Sequence, residues 1–181
     1  TISSKDAGFI ITKLGVGPGD TVLEAGLGSG GLSLHLAKVM GNSGHLVTTE
    51  PREEHASVGL VNLSRASECF EEFPSHTHLE GLVEDVVPDM EFDCVILDMP
   101  SHKAAIEACT PKMKFGARLA CYAPTTSQLE LCWKTCEDSG LSVEWAGELM
   151  ERQWGITSKG GMRPVNGPFG HTAFLLFAQK R

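Results

Sequence analysis

The sequence predicts one α/β domain: a doubly wound, mostly parallel sheet of seven strands with an antiparallel last strand and helices on both faces. Three observations carry this. The 181 residues are 41 % hydrophobic and 21 % charged, the size and make-up of one ordinary globular core. Short apolar runs alternate with helical stretches from residue 21 to residue 139, the βαβ series of a parallel sheet. Two final strands follow with no helix between them, and strands joined without a crossover helix are antiparallel.

Taken in order, residues 5–14 read as a short helix stopped by G-V-G-P-G-D at 15–20. A strand at 21–25, an amphipathic helix at 31–40 and a second strand at 45–49 follow. Residues 52–73 make a longer helix with Val58, Leu60, Val61 and Leu63 among its apolar positions. Strands recur at 78–83, 92–97 and 118–123, separated by helices near 103–112 and 127–139. The end consists of strands at 141–149 and 171–178 joined by a loop rich in glycine and proline. His76 and His78 alternate on a strand edge and take no ligand role.

Composition bounds the function. No apolar run approaches the roughly 18 residues of a membrane span, and the first residues lack a leader pattern, which predicts a soluble cytoplasmic protein. Six cysteines, none in a Cys-x-x-Cys pair, read as reduced thiols. Cys132 and Cys136 lie one helical turn apart, and with no nearby histidine to complete a zinc set they read as core packing. The net charge of -8 argues against a simple nucleic-acid binder. It is unevenly spread: residues 151–181 hold five basic residues and one acidic, +4, against ten and 22 in the first 150, -12. Any polyanion contact belongs at the carboxyl end.

The strongest local signal is V-L-E-A-G-L-G-S-G-G, residues 22–31, where a strand turns into a helix. Gly26, Gly28 and Gly31 satisfy the dinucleotide pattern, while Gly26, Gly28 and Gly30 satisfy the G-x-G-x-G of S-adenosylmethionine sites, so spacing alone is ambiguous. Glu24 favours the methyl donor: a carboxylate before the loop repels a pyrophosphate but attracts an ammonium, directly or through water. Glu24, Glu50, Asp85 and Asp98 all fall near the carboxyl ends of predicted strands, where open parallel sheets form their ligand crevice. Glu50 can accept both ribose hydroxyls and Asp85 an exocyclic amine, and four acids suit a cationic sulfonium better than a dianion.

V-I-L-D-M-P-S, residues 95–101, ends a strand in Asp-x-Pro, so Asp98 stands at the strand mouth and can accept from a substrate amine. It is not the N-P-P-Y or D-P-P-Y pattern of exocyclic amino methylation. Near the carboxyl end, Arg163 can hold a phosphate, and His171 with Thr172 enters the last strand beside the crevice, although a lone histidine there is more often structural. Tyr122, the only tyrosine, can stack on a base or close the core.

Together these residues resemble the tRNA adenine-58 N1-methyltransferase family over nearly the whole chain. The resemblance rests on S-K-D-A-G-F-I-I at 4–11, P-G-D-T-V-L-E-A-G-L-G-S-G-G-L-S-L at 18–34, V-I-L-D-M-P at 95–100, Y-A-P-T at 122–125, and R-P followed by G-H-T-A-F-L at 170–175. It implies a class I methyltransferase fold with S-adenosylmethionine as cofactor and tRNA as partner. It implies cofactor contacts at Ser29, Gly30, Gly31, Glu50 and Asp85, and Asp98 holding the target adenine. It also sets the +4 segment beside the RNA, with Lys159 and Arg163 on phosphates, and implies a homotetramer or a heterotetramer with a related subunit. No metal is required, because the leaving group is already a neutral thioether. Ser3 and Ser4 stand where the family often has Tyr-Pro, and Ser101, His102 and Lys103 where it often has proline and tryptophan. The family also carries a small amino-terminal β-domain, whereas residues 1–181 read as the methyltransferase domain alone. Two alternatives stand beside this reading: a methyltransferase of a protein or small molecule, and a non-catalytic RNA-binding subunit of a heteromer.

Overall fold

A computed structural model describes residues 2–165 and 170–181. Helix α1 (Ser4–Leu14) starts at an N-cap where the Ser3 hydroxyl accepts from the Asp6 N–H, and ends at Gly15 in the left-handed region. Then come β1 (Thr21–Ala25), α2 (Gly31–Met40), β2 (His45–Glu50), α3 (Glu53–Cys69), β3 (Ser75–Glu80), the one-turn α4 (Val83–Val86) and β4 (Phe92–Leu97). Helix α5 (His102–Cys109), β5 (Met113–Ala123), α6 (Thr126–Asp138), β6 (Leu141–Gly147), β7 (Trp154–Ile156), β8 (Met162–Pro164) and β9 (Phe174–Lys180) complete the chain.

The main sheet runs β3-β2-β1-β4-β5-β9-β6, and β9 pairs antiparallel with both neighbours while β1 to β5 are parallel. The predicted architecture is thus observed. Because both faces are covered, alternate residues of one strand enter different cores. On β4, Cys94 and Ile96 pack with Ile10, Leu14, Leu36 and Met40 of α1 and α2, while Val95 and Leu97 pack with Ala105, Ile106, Cys132 and Cys136 of α5 and α6. Strand order reverses beside β1, between β2 and β4, which puts the crevice over the ends of those three strands.

Several boundaries differ from expectation. The helix predicted over 52–73 stops at Cys69, because Pro74 biases Phe73 to extended backbone and Phe70 is already extended at the C-cap. The third strand is Ser75–Glu80 rather than 78–83: Gly81, at φ +135°, ends it and Val83 opens a helical turn. Asp85 therefore sits on α4 and not at a strand end. The fifth strand begins five residues early, at Met113, and the last is Phe174–Lys180, leaving His171 and Thr172 outside it. The loop before it contains an unpredicted hairpin, with β7 and β8 pairing antiparallel from Trp154–Pro164 to Ile156–Met162. The N-G-P-F portion of that loop, 166–169, lies outside the described residues.

Candidate active site

The glycine loop follows from the backbone it must adopt. Gly26, Gly28 and Gly30 take φ of +94°, +52° and +78°, a region other residues rarely enter. Gly26 is the most constrained, since a Cβ there would stand 2.0 Å from the Asp98 carbonyl oxygen. The Gly26 and Leu27 amides donate to the Thr49 carbonyl, each at 3.0 Å, and the Asp98 amide donates to Ala25 at 2.8 Å, so the loop is stitched to β2 and β4. On its outer side Gly59 of α3 packs so closely that its Cβ would lie 2.7 Å from the Gly28 carbonyl, and Asn62 Nδ2 donates to the Ser29 carbonyl at 2.9 Å. Nothing in the sequence marks these two supports on α3 except an internal glycine. Helix α2 starts at Gly30 with no side chain capping it, leaving its amino end to whatever occupies the crevice.

Two connected spaces open on this loop. A cleft of about 500 Å³ is lined by Glu24, Gly26, Gly28, Ser29, Gly31, Asp98 and the rim residues Pro124 and Gln128. A narrower slot of about 180 Å³, mostly apolar, lies between Pro51, Leu82, Val83 and Met99, with Glu50 at its edge. Gly26, Arg52, Asp98, Met99 and Pro100 line both. Of the expected cofactor residues, two line neither space: Asp85 is exposed on α4, a consequence of the earlier end of β3, and Gly30 turns toward α3, where a Cβ would stand 3.3 Å from the Gly59 carbonyl oxygen. Three acids therefore ring the crevice instead of four.

Each acid has a different environment. Glu24 is 2 % exposed, and burial raises its pKa to about 8, with the Asp98 charge adding to the rise and a hydrogen bond from Ser33 Oγ opposing it. Near neutral pH it is mostly protonated. Burial also raises the Asp98 carboxyl above the usual range, opposed by His102 and Arg52. Burial would lift Glu50 too, but hydrogen bonds outweigh it and hold this carboxyl low. Gly28 N–H and Arg52 Nη2 donate to Oε2 at 3.0 and 3.1 Å, and Arg52 Nε and N–H donate to Oε1 at 2.8 and 3.2 Å.

The Glu24 environment sets a pH dependence. Its ordinary value is 4.5, so between about pH 4.5 and 8 the folded protein keeps a proton that the unfolded chain releases. Stability from this group is complete below the lower value and is lost as pH rises through the upper, with about 1.4 kcal/mol for each pKa unit. Glu24→Gln should flatten this decline. Thermal melts of both proteins from pH 5 to pH 9 read it; parallel curves would contradict it.

The remaining predicted substrate residues separate. Tyr122 is 9 % exposed, lines neither space and donates to Asp6 Oδ2 at 3.4 Å, so of its two expected roles the structure shows core closure. His171 presents Nδ1 to Glu148 Oε2 at 2.7 Å and Nε2 to the Pro124 carbonyl at 3.2 Å. Two acceptors on one imidazole favour its doubly protonated form, and its pKa is raised by Glu148 and then by that carbonyl. It thereby braces Pro124 on the cleft rim. Lys5 Nζ donates to Thr172 Oγ1 at 2.8 Å and to Asp6 at 2.7 Å, so the S-K-D and G-H-T motifs meet as one structural clasp. Lys159 lies exposed in the turn of the β7–β8 hairpin and Arg163 exposed on β8, neither lining the crevice.

Other lining residues escape a reading of the sequence. Gln128 closes a capping box with Thr125 and donates to the Pro100 carbonyl at 3.3 Å, tying α6 to the Asp-x-Pro turn. The T-x-x-Q spacing at 125–128 is the available signal. His55 and Arg52 line the cleft from the start of α3, where an exposed helical turn gives no such signal. The six cysteines are free, five of them buried, and the His102 ring lies against Cys132, a neighbour the sequence does not reveal. Among the described residues no His, Cys, Asp and Glu group is arranged to hold a metal, and no helix is long and apolar enough to cross a membrane.

A seven-stranded sheet with this strand order, one antiparallel strand and a glycine loop opening on acids at the ends of β1 and β2 defines a class I methyltransferase, a fold that works with a methyl donor of the S-adenosylmethionine type. Solved structures agree. A S-adenosylmethionine-dependent O-methyltransferase from Thermotoga maritima superposes with TM-score 0.88 at 29 % identity, covering 99 % of this chain and 66 % of its own. The tRNA (m1A58) methyltransferase TrmI from Aquifex aeolicus gives 0.86 at 26 %, covering 100 % and 70 %. The chain belongs to the family described as tRNA methyltransferase complex GCD14 subunit, whose model matches residues 1–159. It is also similar to TrmI of Methanocaldococcus jannaschii, named as a tRNA (adenine(57)-N(1)/adenine(58)-N(1))-methyltransferase, at 29 % identity over 99 % of this chain and 71 % of that protein. With Thermus thermophilus TrmI the figures are 32 %, 95 % and 66 %, so the chain spans about two-thirds of these relatives' length.

Proposed function

We propose that the protein transfers a methyl group from S-adenosylmethionine to N1 of an adenine in tRNA. The observation that carries this is the position of Asp98, a carboxylate at the junction of the slot and the cleft, in a chain of this family. The crevice suits the donor: a floor of glycines without side chains, Glu50 for the ribose diol, an apolar slot for the donor's base, and Glu24 with the uncapped start of α2 for the amino-acid end. The bound donor supplies a methyl group activated by a sulfonium. As the N1 lone pair of the target takes that methyl, the carbon–sulfur pair stays on sulfur and positive charge moves onto the base. Asp98 accepts from the adenine N6 amine, fixes the ring, and faces the charge as it forms. The base has to leave its stack to reach the cleft.

In this reading the RNA approaches over the β7–β8 hairpin. Changing Lys159 and Arg163 together to Ala should weaken tRNA binding and flatten its salt dependence by up to about 0.9 logarithmic units per lost phosphate contact, leaving cofactor affinity intact. A double variant that melts earlier with an unchanged salt slope would assign these residues to the hairpin alone. Trp154, Ile156 and Met162 of the same hairpin are 57, 79 and 67 % exposed, which suits a face covered by another chain in the proposed tetramer. The eukaryotic relatives from Dictyostelium discoideum and Eremothecium gossypii are named catalytic subunits, in keeping with such an assembly. The protein would work in the cytoplasm, whose reducing poise suits six unpaired thiols. Labelled methyl donor offered with unmodified bulk tRNA and, separately, with protein extract tests the proposal: label in the RNA is expected, and label confined to the protein would overturn it.

A further inference from the structure

Arg52 and Glu50 are bound to one another across the place where a ribose diol would sit. A carboxylate offers about four acceptor positions, and all four on Glu50 are used. Two of the donors are main-chain N–H groups that hold the carboxylate in place. The other two are Nε and Nη2 of a single guanidinium, a planar pair of N–H donors spaced like the two hydroxyls of a ribose. The Glu50 side chain is 1 % exposed, whereas the Arg52 side chain is 60 % exposed, so the acid is anchored and the arginine can leave.

Charge explains why it should. Among the described residues lining the cleft and the slot, Arg52 is the only lysine or arginine, and Glu24, Glu50 and Asp98 share those walls. Apart from Glu24, which is mostly protonated near neutral pH, these acids favour a cationic donor but repel an RNA phosphate, and with Arg52 committed to Glu50 the mouth offers no lysine or arginine to counter Asp98. From this geometry we infer that Arg52 is a substrate-positioning residue released by the cofactor: the ribose diol displaces the guanidinium from Glu50, and the freed side chain takes a phosphate flanking the target adenine. This rests on the proposed RNA methylation for its second half only. Donor and RNA then bind with positive coupling, and by linkage each tightens the other by the same factor.

The test compares the full chain with Arg52→Met, which keeps an unbranched stem and removes the fork. S-adenosylhomocysteine is titrated by calorimetry with and without unmodified tRNA, and tRNA binding is measured with and without S-adenosylhomocysteine. Without RNA, the variant should bind S-adenosylhomocysteine about three- to five-fold more tightly, the size of an ion pair whose arginine is solvent-exposed no longer competing. In the unaltered chain S-adenosylhomocysteine should tighten tRNA binding about five-fold or more, and in Arg52→Met this coupling should fall to about one. Weaker S-adenosylhomocysteine binding by the variant, or coupling equal in both proteins, would overturn the inference. Absence of methyl transfer to tRNA by the unaltered chain would instead overturn the functional proposal, and the S-adenosylhomocysteine comparison without RNA still reads the displacement of Arg52 on its own.

Discussion

Asp98→Ala should lower the rate of methyl transfer by about 10² or more while S-adenosylmethionine affinity stays within a few-fold. The asymmetry follows from position. The Asp98 main chain is held by its amide on Ala25 and its carbonyl against Gly26, so truncating the side chain leaves the glycine loop in place. What is lost is a carboxylate at the junction of the slot and the cleft, where the proposed function seats the target base against the donor. Because burial raises the pKa of this group, the acid limb of the rate profile should lie above the ordinary aspartate value of 3.8. Single-turnover assays at saturating RNA separate the chemical step from binding, and full activity in Asp98→Ala would remove the residue from the mechanism. The same substitution should lower the Glu24 pKa, since the Asp98 charge is one of the causes that raise it.

The second large effect is on the fold. Gly26→Ala places a Cβ 2.0 Å from the Asp98 carbonyl oxygen at a φ of +94°, so both the contact and the backbone conformation oppose it. We expect a loss of about 3–5 kcal/mol, with a fall in Tm of roughly 10 °C, and loss of cofactor binding as β1 and β4 separate at their ends. Gly8→Ala is the control: Gly8 is exposed within α1, a Cβ added there would meet nothing within 4 Å, and the change should stabilise by about 0.5–1 kcal/mol through helix propensity. Circular dichroism melts read both. A Gly26→Ala protein as stable as the parent would contradict the close approach of loop and strand.

The difference between these glycines marks how far a sequence can be read. β1, α2 and β4 are legible to the residue, because the two largely buried strands, T-V-L-E-A and F-D-C-V-I-L, are rich in apolar residues and, like α2, have sharp ends beside the glycine loop and the Asp-x-Pro turn. β3 is not. It is the edge strand S-H-T-H-L-E, half exposed, and its histidines answer to Thr48, whose hydroxyl lies 2.9 Å from both His76 Nε2 and His78 Nδ1. With no apolar run to mark it, the expected strand falls three residues late, and Asp85 is carried into the expected crevice with it. The β7–β8 hairpin escapes for a related reason: three-residue strands with exposed apolar side chains have no buried face to create a period.

The site divides along the same physical line. Glu24, Gly26, Gly28, Ser29, Gly31, Glu50 and Asp98 are legible because strand ends place them, and the sheet brings all seven to the two spaces. Tyr122 also lies near a strand end, yet its side chain faces Asp6 and α1, a choice of face that one aromatic residue does not announce. Arg52 is invisible in the sequence because its role depends on a partner two residues away adopting one particular rotamer.

The most direct test of methyl transfer to adenine N1 under the control of Asp98 is to incubate the full chain with S-adenosylmethionine and an unmodified tRNA transcript, digest the RNA to nucleosides, and identify the methylated product. The unaltered chain should form 1-methyladenosine at a single adenine position, and Asp98→Ala should reduce it about 10²-fold or more. Methyl groups on another base or another atom of adenine, or 1-methyladenosine formed equally by the Asp98→Ala protein, would contradict that mechanism.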